Sequence, residues 1–118
     1  MRKLLLASIF TAIFCFTVVS CSKDETPTDY DCTGLTPTYT TDIKPIFDAS
    51  CATTGCHAGA SPADGIDLSN NQFSTSHNDH LLCSIEHLSG CEPMPDGAAK
   101  LDDATIKTIS CWVENGRP

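Results

Sequence analysis

The residues best placed to do chemistry are clustered in Ser50-Cys51-Ala52-Thr53-Thr54-Gly55-Cys56-His57, where two thiols and an imidazole share one short segment. Three chemistries compete for them. In the first, the thiols add to the two vinyl groups of one haem, and His57, next to the second cysteine, lies beneath the iron as an axial ligand. The usual attachment signature has two residues between the cysteines. Here Ala52, Thr53, Thr54 and Gly55 intervene, so the spacer must bulge away from the ring, and Gly55 can supply the positive φ this needs. In the second, Cys51, Cys56 and His57 join a fourth ligand around zinc, although adjacent Cys-His ligands suit a tetrahedral ion poorly. In the third, Cys51 and Cys56 form a structural disulfide and His57 is merely exposed.

A second candidate ligand lies downstream in Pro93-Met94-Pro95-Asp96-Gly97. A methionine between prolines is a poor helix-core residue, but in a rigid loop its soft thioether can point at iron. A His/Met pair raises the reduction potential of a haem. The plain alternative is a loop methionine packed under the domain. His77, His80 and His87 read first as solvated histidines. A zinc site of His80, Cys83 and His87, with Cys91 as a further ligand, and His87 in place of Met94 on the iron are the less favoured options.

Three helices must position these groups. The first covers about Asp42 to Ser50, capped by Thr41 or Asp42, with Pro45 in its first turn and Ile43, Ile46 and Phe47 on one face. The second runs from about Asn78 or Asp79 to Leu88, with Leu81, Leu82, Ile85 and Leu88 as its stripe and Gly90 as its end. The third runs from about Asp102, its cap, to Glu114. It buries Ile106, Ile109, Trp112 and Val113, with Asn115-Gly116 as a left-handed stop. No strand pattern competes, so the fold class is all-α: a small domain of three main helices with long irregular loops. A domain of about 80 residues has too small an apolar core of its own and needs a staple such as disulfides, a metal or a cofactor.

The chain has 118 residues, 7 Lys+Arg against 15 Asp+Glu, and 8 Cys. The acidic balance argues against nucleic-acid binding, which needs a basic surplus. No glycine-rich phosphate loop is present. Arg2 and Lys3 followed by the apolar run Leu4 to Val19 read as a signal peptide over 1–20, with a retained membrane-anchor helix as the alternative. Val18-Val19-Ser20-Cys21 resembles the lipobox of bacterial lipoproteins, which implies a lipidated Cys21 tethering the chain to a membrane surface, on the periplasmic or cell-surface side. Residues 21–38 then read as a flexible polar tether and 39–118 as the domain. Loss of the signal removes Arg2 and Lys3 and leaves 5 basic against 15 acidic residues, a charge of −10.

Taken in order, Asp42-Ile43-Lys44-Pro45-Ile46-Phe47, Cys51…Cys56-His57, Gly65-Ile66-Asp67-Leu68, Met94-Pro95, Leu101 and Ile109 to Gly116 resemble small class I cytochromes c, especially those carried as bacterial periplasmic lipoproteins. The resemblance implies a cytochrome c-like domain around one haem c, bound through Cys51 and Cys56, with His57 and Met94 on opposite faces of the iron. It also implies that the first and last helices cross, with Trp112 near the haem edge. The four-residue Cys spacer departs from the family pattern. Of the three pairings open to the remaining cysteines, Cys32–Cys111 and Cys83–Cys91 are favoured. The first would pin the tail before the first helix to the last, and the second would stiffen the loop before Met94. The expected function is electron transfer rather than catalysis, with redox partners docking through a basic face. Peroxide or gas chemistry would require Met94 to be off the iron. The rival is a disulfide-stapled, non-redox surface lipoprotein acting as an interaction module.

Overall fold

The computed structural model describes residues 25–118. The expected signal peptide, the lipobox Cys21 and the first residues of the tether lie outside the described residues. Helix α1 spans Lys44–Ser50 and is led in by a wider π-helical turn, Tyr39–Ile43. Helix α2 covers Asn78–Ile85 and α3 covers Asp103–Glu114, with short 3-10 turns at Ala63–Gly65 and Thr75–His77. Among the described residues there is no strand, only an isolated bridge between Thr54 and Ala58. The domain is therefore all-α, with long connections as expected.

The start of α1 differs from expectation. Neither Thr41 nor Asp42 is the cap. The helical stretch begins at Tyr39, and the Asp42 carboxylate reaches back to accept from the Thr38 amide at 2.8 Å. An acidic group in the first turn that satisfies an orphan amide extends the helix toward its N-terminus. Helix α2 stops at Ile85 rather than Leu88. His87 takes a left-handed φ of 57°. The Leu88 amide then bonds to the Cys83 carbonyl at 3.0 Å and the His87 amide to Ser84 at 3.1 Å, the paired bonds of a Schellman stop. Helix α3 matches its reading. The Asp102 carboxylate accepts from the Thr105 amide at 2.9 Å. Gly116, at φ 81°, ends the helix, with the Arg117 amide bonded to Trp112 at 2.8 Å.

One core ties the elements together. Ile43 and Phe47 of the first helical stretch, Leu82 and Ile85 of α2, and Ile106, Ile109 and Trp112 of α3 form a contiguous buried cluster with Cys51 and Leu68. Trp112 is wholly buried and meets Phe47 edge-on, with ring centroids 6.1 Å apart. Its Nε1–H donates to the Pro118 carbonyl at 3.2 Å, and the same carbonyl accepts from the Tyr39 amide at 2.8 Å. The C-terminal tail thus locks the first and last helical segments together.

Disulfides join Cys32 to Cys111 and Cys83 to Cys91. The first bond fastens the segment ahead of the domain to α3. Residues 25–38, read from sequence as a flexible tether, are bonded to the domain at further points. Glu86, buried at the end of α2, accepts from the amide and hydroxyl of Thr28 at 3.0 and 2.6 Å. Asn115 donates to the Leu35 carbonyl at 3.0 Å.

Candidate functional site

The thiol–imidazole loop grows directly out of α1. The Cys51 and Ala52 amides both bond to the Phe47 carbonyl, at 2.8 and 2.7 Å, so the last helical turn fixes the direction in which the loop leaves. Cys51 sits at the helix end with its side chain in the core, 7% exposed. The chain then turns outward. Thr53, Thr54, Gly55 and Cys56 are exposed, Gly55 takes φ 88°, and the Cys56 amide bonds to Thr53 at 3.0 Å. The spacer turns out to the surface, with Gly55 taking the positive φ at the turn. The His57 amide returns to the Cys51 carbonyl at 3.0 Å and closes the loop, which brings the backbone of His57 back to that of Cys51.

A second strip of chain braces that loop from outside. The Ala63 amide bonds to Cys56 and the Leu68 amide to His57, both at 2.8 Å. The His57 Nδ1 lies 3.2 Å from the Ile66 carbonyl. A carbonyl oxygen can only accept, so Nδ1 is the donor and Nε2 is the nitrogen left for a further partner. An imidazole oriented in this way by a backbone acceptor is prepared to ligate a metal through its other nitrogen. Ile66, unassigned when read from sequence, is therefore part of the site. The only cue was its place in the Gly65-Ile66-Asp67-Leu68 string.

Cys51 and Cys56 carry free thiols, whereas Cys32, Cys83, Cys91 and Cys111 are all bonded. Burial, followed by the charge of nearby Cys56, pushes the Cys51 thiol up to about 11 from the ordinary 9.0. Burial thus keeps it a neutral thiol at neutral pH. Among the described residues no group of three or more His, Cys, Asp or Glu is arranged to hold a metal ion. The zinc site considered at His80, Cys83, His87 and Cys91 loses both sulfurs to the Cys83–Cys91 bond. His80 is left exposed, with its Nδ1 3.8 Å from the Cys91 sulfur.

Met94 belongs to a second group, at the end of α2. Its amide donates to the Ser84 carbonyl at 3.0 Å, and its own carbonyl lies 3.0 Å from His87 Nε2. The residue is half-buried and follows the loop closed by Cys83–Cys91. The two groups rest on the same core, because Cys51 shares one apolar cluster with Leu82 and Ile85, which lie on either side of Ser84. Trp112 lies inside that cluster, against Phe47. A hollow of about 380 Å³ adjoins the loop at Gly65 and Ile66, with Asp67, Asn70, Gln72 and Ser74 beside Phe73 in its walls.

Arg117 is a feature the sequence did not announce. It is 8% exposed, with its guanidinium 3.9 Å from the centre of the Phe73 ring and bonded to the Phe73 carbonyl at 2.9 Å and to the Asn71 and Asn78 side chains at 3.2 and 3.1 Å. It ties the 71–78 segment to the C-terminus. Nothing in a penultimate Arg after Gly116 signals burial. Comparison of the chain with protein-family models, with curated proteins and with solved structures finds no match.

Proposed function

We propose that this chain is an electron-transfer protein of the class I cytochrome c type, holding one haem through Cys51 and Cys56 with His57 and Met94 as axial ligands. The observation that carries this reading is the His57 ring, held at Nδ1 by the Ile66 carbonyl at 3.2 Å in a loop that also presents two free thiols. The donor set fits the group. Cys51 and Cys56 would each add S–H across one vinyl C=C, sulfur to one carbon and hydrogen to the other, with no oxidant required. His57 Nε2 supplies the nitrogen ligand and Met94 the soft sulfur. When bound, haem supplies reversible one-electron chemistry at iron. The chain's task is to orient both ligands and leave no open position for substrate.

Other residues support the reading. The added apolar body would extend the core that Phe47, Trp112 and their neighbours already form. A group bonded to buried Cys51 and exposed Cys56 is held between the interior and the surface, where a partner can reach its edge. The acidic charge favours a partner with a basic face and salt-sensitive docking. Lipidation at Cys21 would keep the carrier at a membrane surface on the periplasmic or cell-surface side.

The test is a reductive titration of protein produced with a haem-ligation apparatus. One electron per chain, low-spin spectra in both oxidation states, and a reduced form unaltered by carbon monoxide are expected. A reduced form that binds carbon monoxide readily would show an open iron position and replace the carrier reading with gas or peroxide chemistry.

A further inference from the structure

We propose that His87 is the positioning residue for Met94, and that a histidine occupies the left-handed stop of α2 for this purpose; the inference rests on Met94 being an iron ligand. At the left-handed stop of α3 the chain uses glycine, Gly116 at φ 81°. The equivalent place after α2 is filled by His87 at φ 57°, a conformation that disfavours a residue with a Cβ. A residue serving only to end the helix would be better as glycine. The side chain gives the reason for the exception. His87 Nε2 lies 3.0 Å from the Met94 carbonyl. That oxygen has only lone pairs to offer, so the ring donates.

The same turn of α2 holds the other side of Met94. Its amide donates to the Ser84 carbonyl at 3.0 Å. Both peptide groups flanking the Met94 Cα are thereby fixed to residues 84–87, and the Cys83–Cys91 bond closes the chain between them. Only the side-chain torsions of Met94 remain free. A sulfur carried on a backbone held in this way has lost most of its freedom before it meets a metal, which strengthens its ligation without any new contact to the metal. Strain retained at one residue to fix another in place is a device typical of functional sites.

The experiment compares the haem-loaded wild type with His87→Gly, His87→Gln and Met94→Ala. The measurements are ferric spin state, affinity for added imidazole and thermal midpoint. Imidazole competes with the methionine for iron, so its affinity reports how firmly Met94 is held. His87→Gly relieves the left-handed strain and removes the donor. It should bind imidazole about tenfold more tightly than wild type, the effect of losing one hydrogen bond, with an unchanged or higher thermal midpoint. His87→Gln restores a donor and should move the affinity back toward wild type. Wild-type imidazole affinity in His87→Gly, while Met94→Ala raises it, would overturn the positioning role and leave Met94 ligation standing. A spin-state change in His87→Gly together with none in Met94→Ala would make His87 itself the ligand and overturn the proposal. A wild-type chain that takes up no haem would remove both the proposal and the reading beneath it.

Discussion

Raising the pH should destabilise the thiol form of this protein through Cys51 in particular. In the native chain burial holds that thiol at about 11, against 9.0 for an ordinary thiol. Below pH 9 the group is neutral in both folded and unfolded chains, and its full contribution to stability is present. Between about 9 and 11 the unfolded chain ionises and the folded chain does not, so the unfolded state binds fewer protons and stability falls as pH rises. The loss is complete once pH exceeds the native value, and the gap corresponds to about 2–3 kcal/mol. Tyr30 and Tyr39, both pushed up chiefly by burial, also contribute to the alkaline pH dependence. The informative quantity is therefore the difference between wild type and Cys51→Val. Urea unfolding followed by Trp112 fluorescence, within minutes of mixing so that thiol exchange does not intervene, should show wild type losing about 2–3 kcal/mol more than the variant between pH 8 and pH 11. Parallel pH profiles would refute the reasoning. They would mean that Cys51 ionises in the folded state as readily as in water.

Three further outcomes follow from the fold. Replacing Cys32 and Cys111 by alanine should cost more than replacing Cys83 and Cys91, because the sequence separations are 79 and 8 residues; about 4–5 against about 2–3 kcal/mol is expected in urea unfolding. Trp112→Ala empties a wholly buried site between Phe47 and Tyr39 and should cost about 3–5 kcal/mol, read by far-UV circular dichroism because the chain has a single Trp. Asp102→Ala removes the acceptor for the Thr105 amide and should cost about 1 kcal/mol, with the loss confined to α3 and visible as faster amide exchange in its first turn.

The helices were legible because their signals are local. Asp102, the Ile106–Ile109–Trp112 spacing and Asn115-Gly116 all act within a few residues, and α3 forms where they point. The two disulfides form in the favoured one of the three pairings open to four cysteines, a choice that spacing alone did not decide. The boundaries that moved were set by contacts the spacing does not show. Asp42 reaches back to Thr38, and His87 ends α2 three residues early through a left-handed turn that glycine usually marks. The Cys51…Cys56-His57 loop was visible as a motif, and Gly55 marked the place where it takes a positive φ. The brace on His57 was not visible, because it comes from a backbone carbonyl, which carries no signature in the residue type of Ile66. Arg117 and Glu86 were missed for a related reason. Charged residues read as surface until a fold surrounds them with partners, here the Phe73 and Asn71 groups for one and Thr28 for the other.

The central claim is most directly tested by the mass of the exported domain, produced with a haem-ligation apparatus and measured intact under denaturing conditions. The account predicts one haem per chain that survives denaturation, carried on the peptide containing Cys51 and Cys56, with both thiols resistant to alkylation after reduction. A chain with no added haem, in which Cys51 and Cys56 become alkylatable once a disulfide between them is reduced, would contradict it.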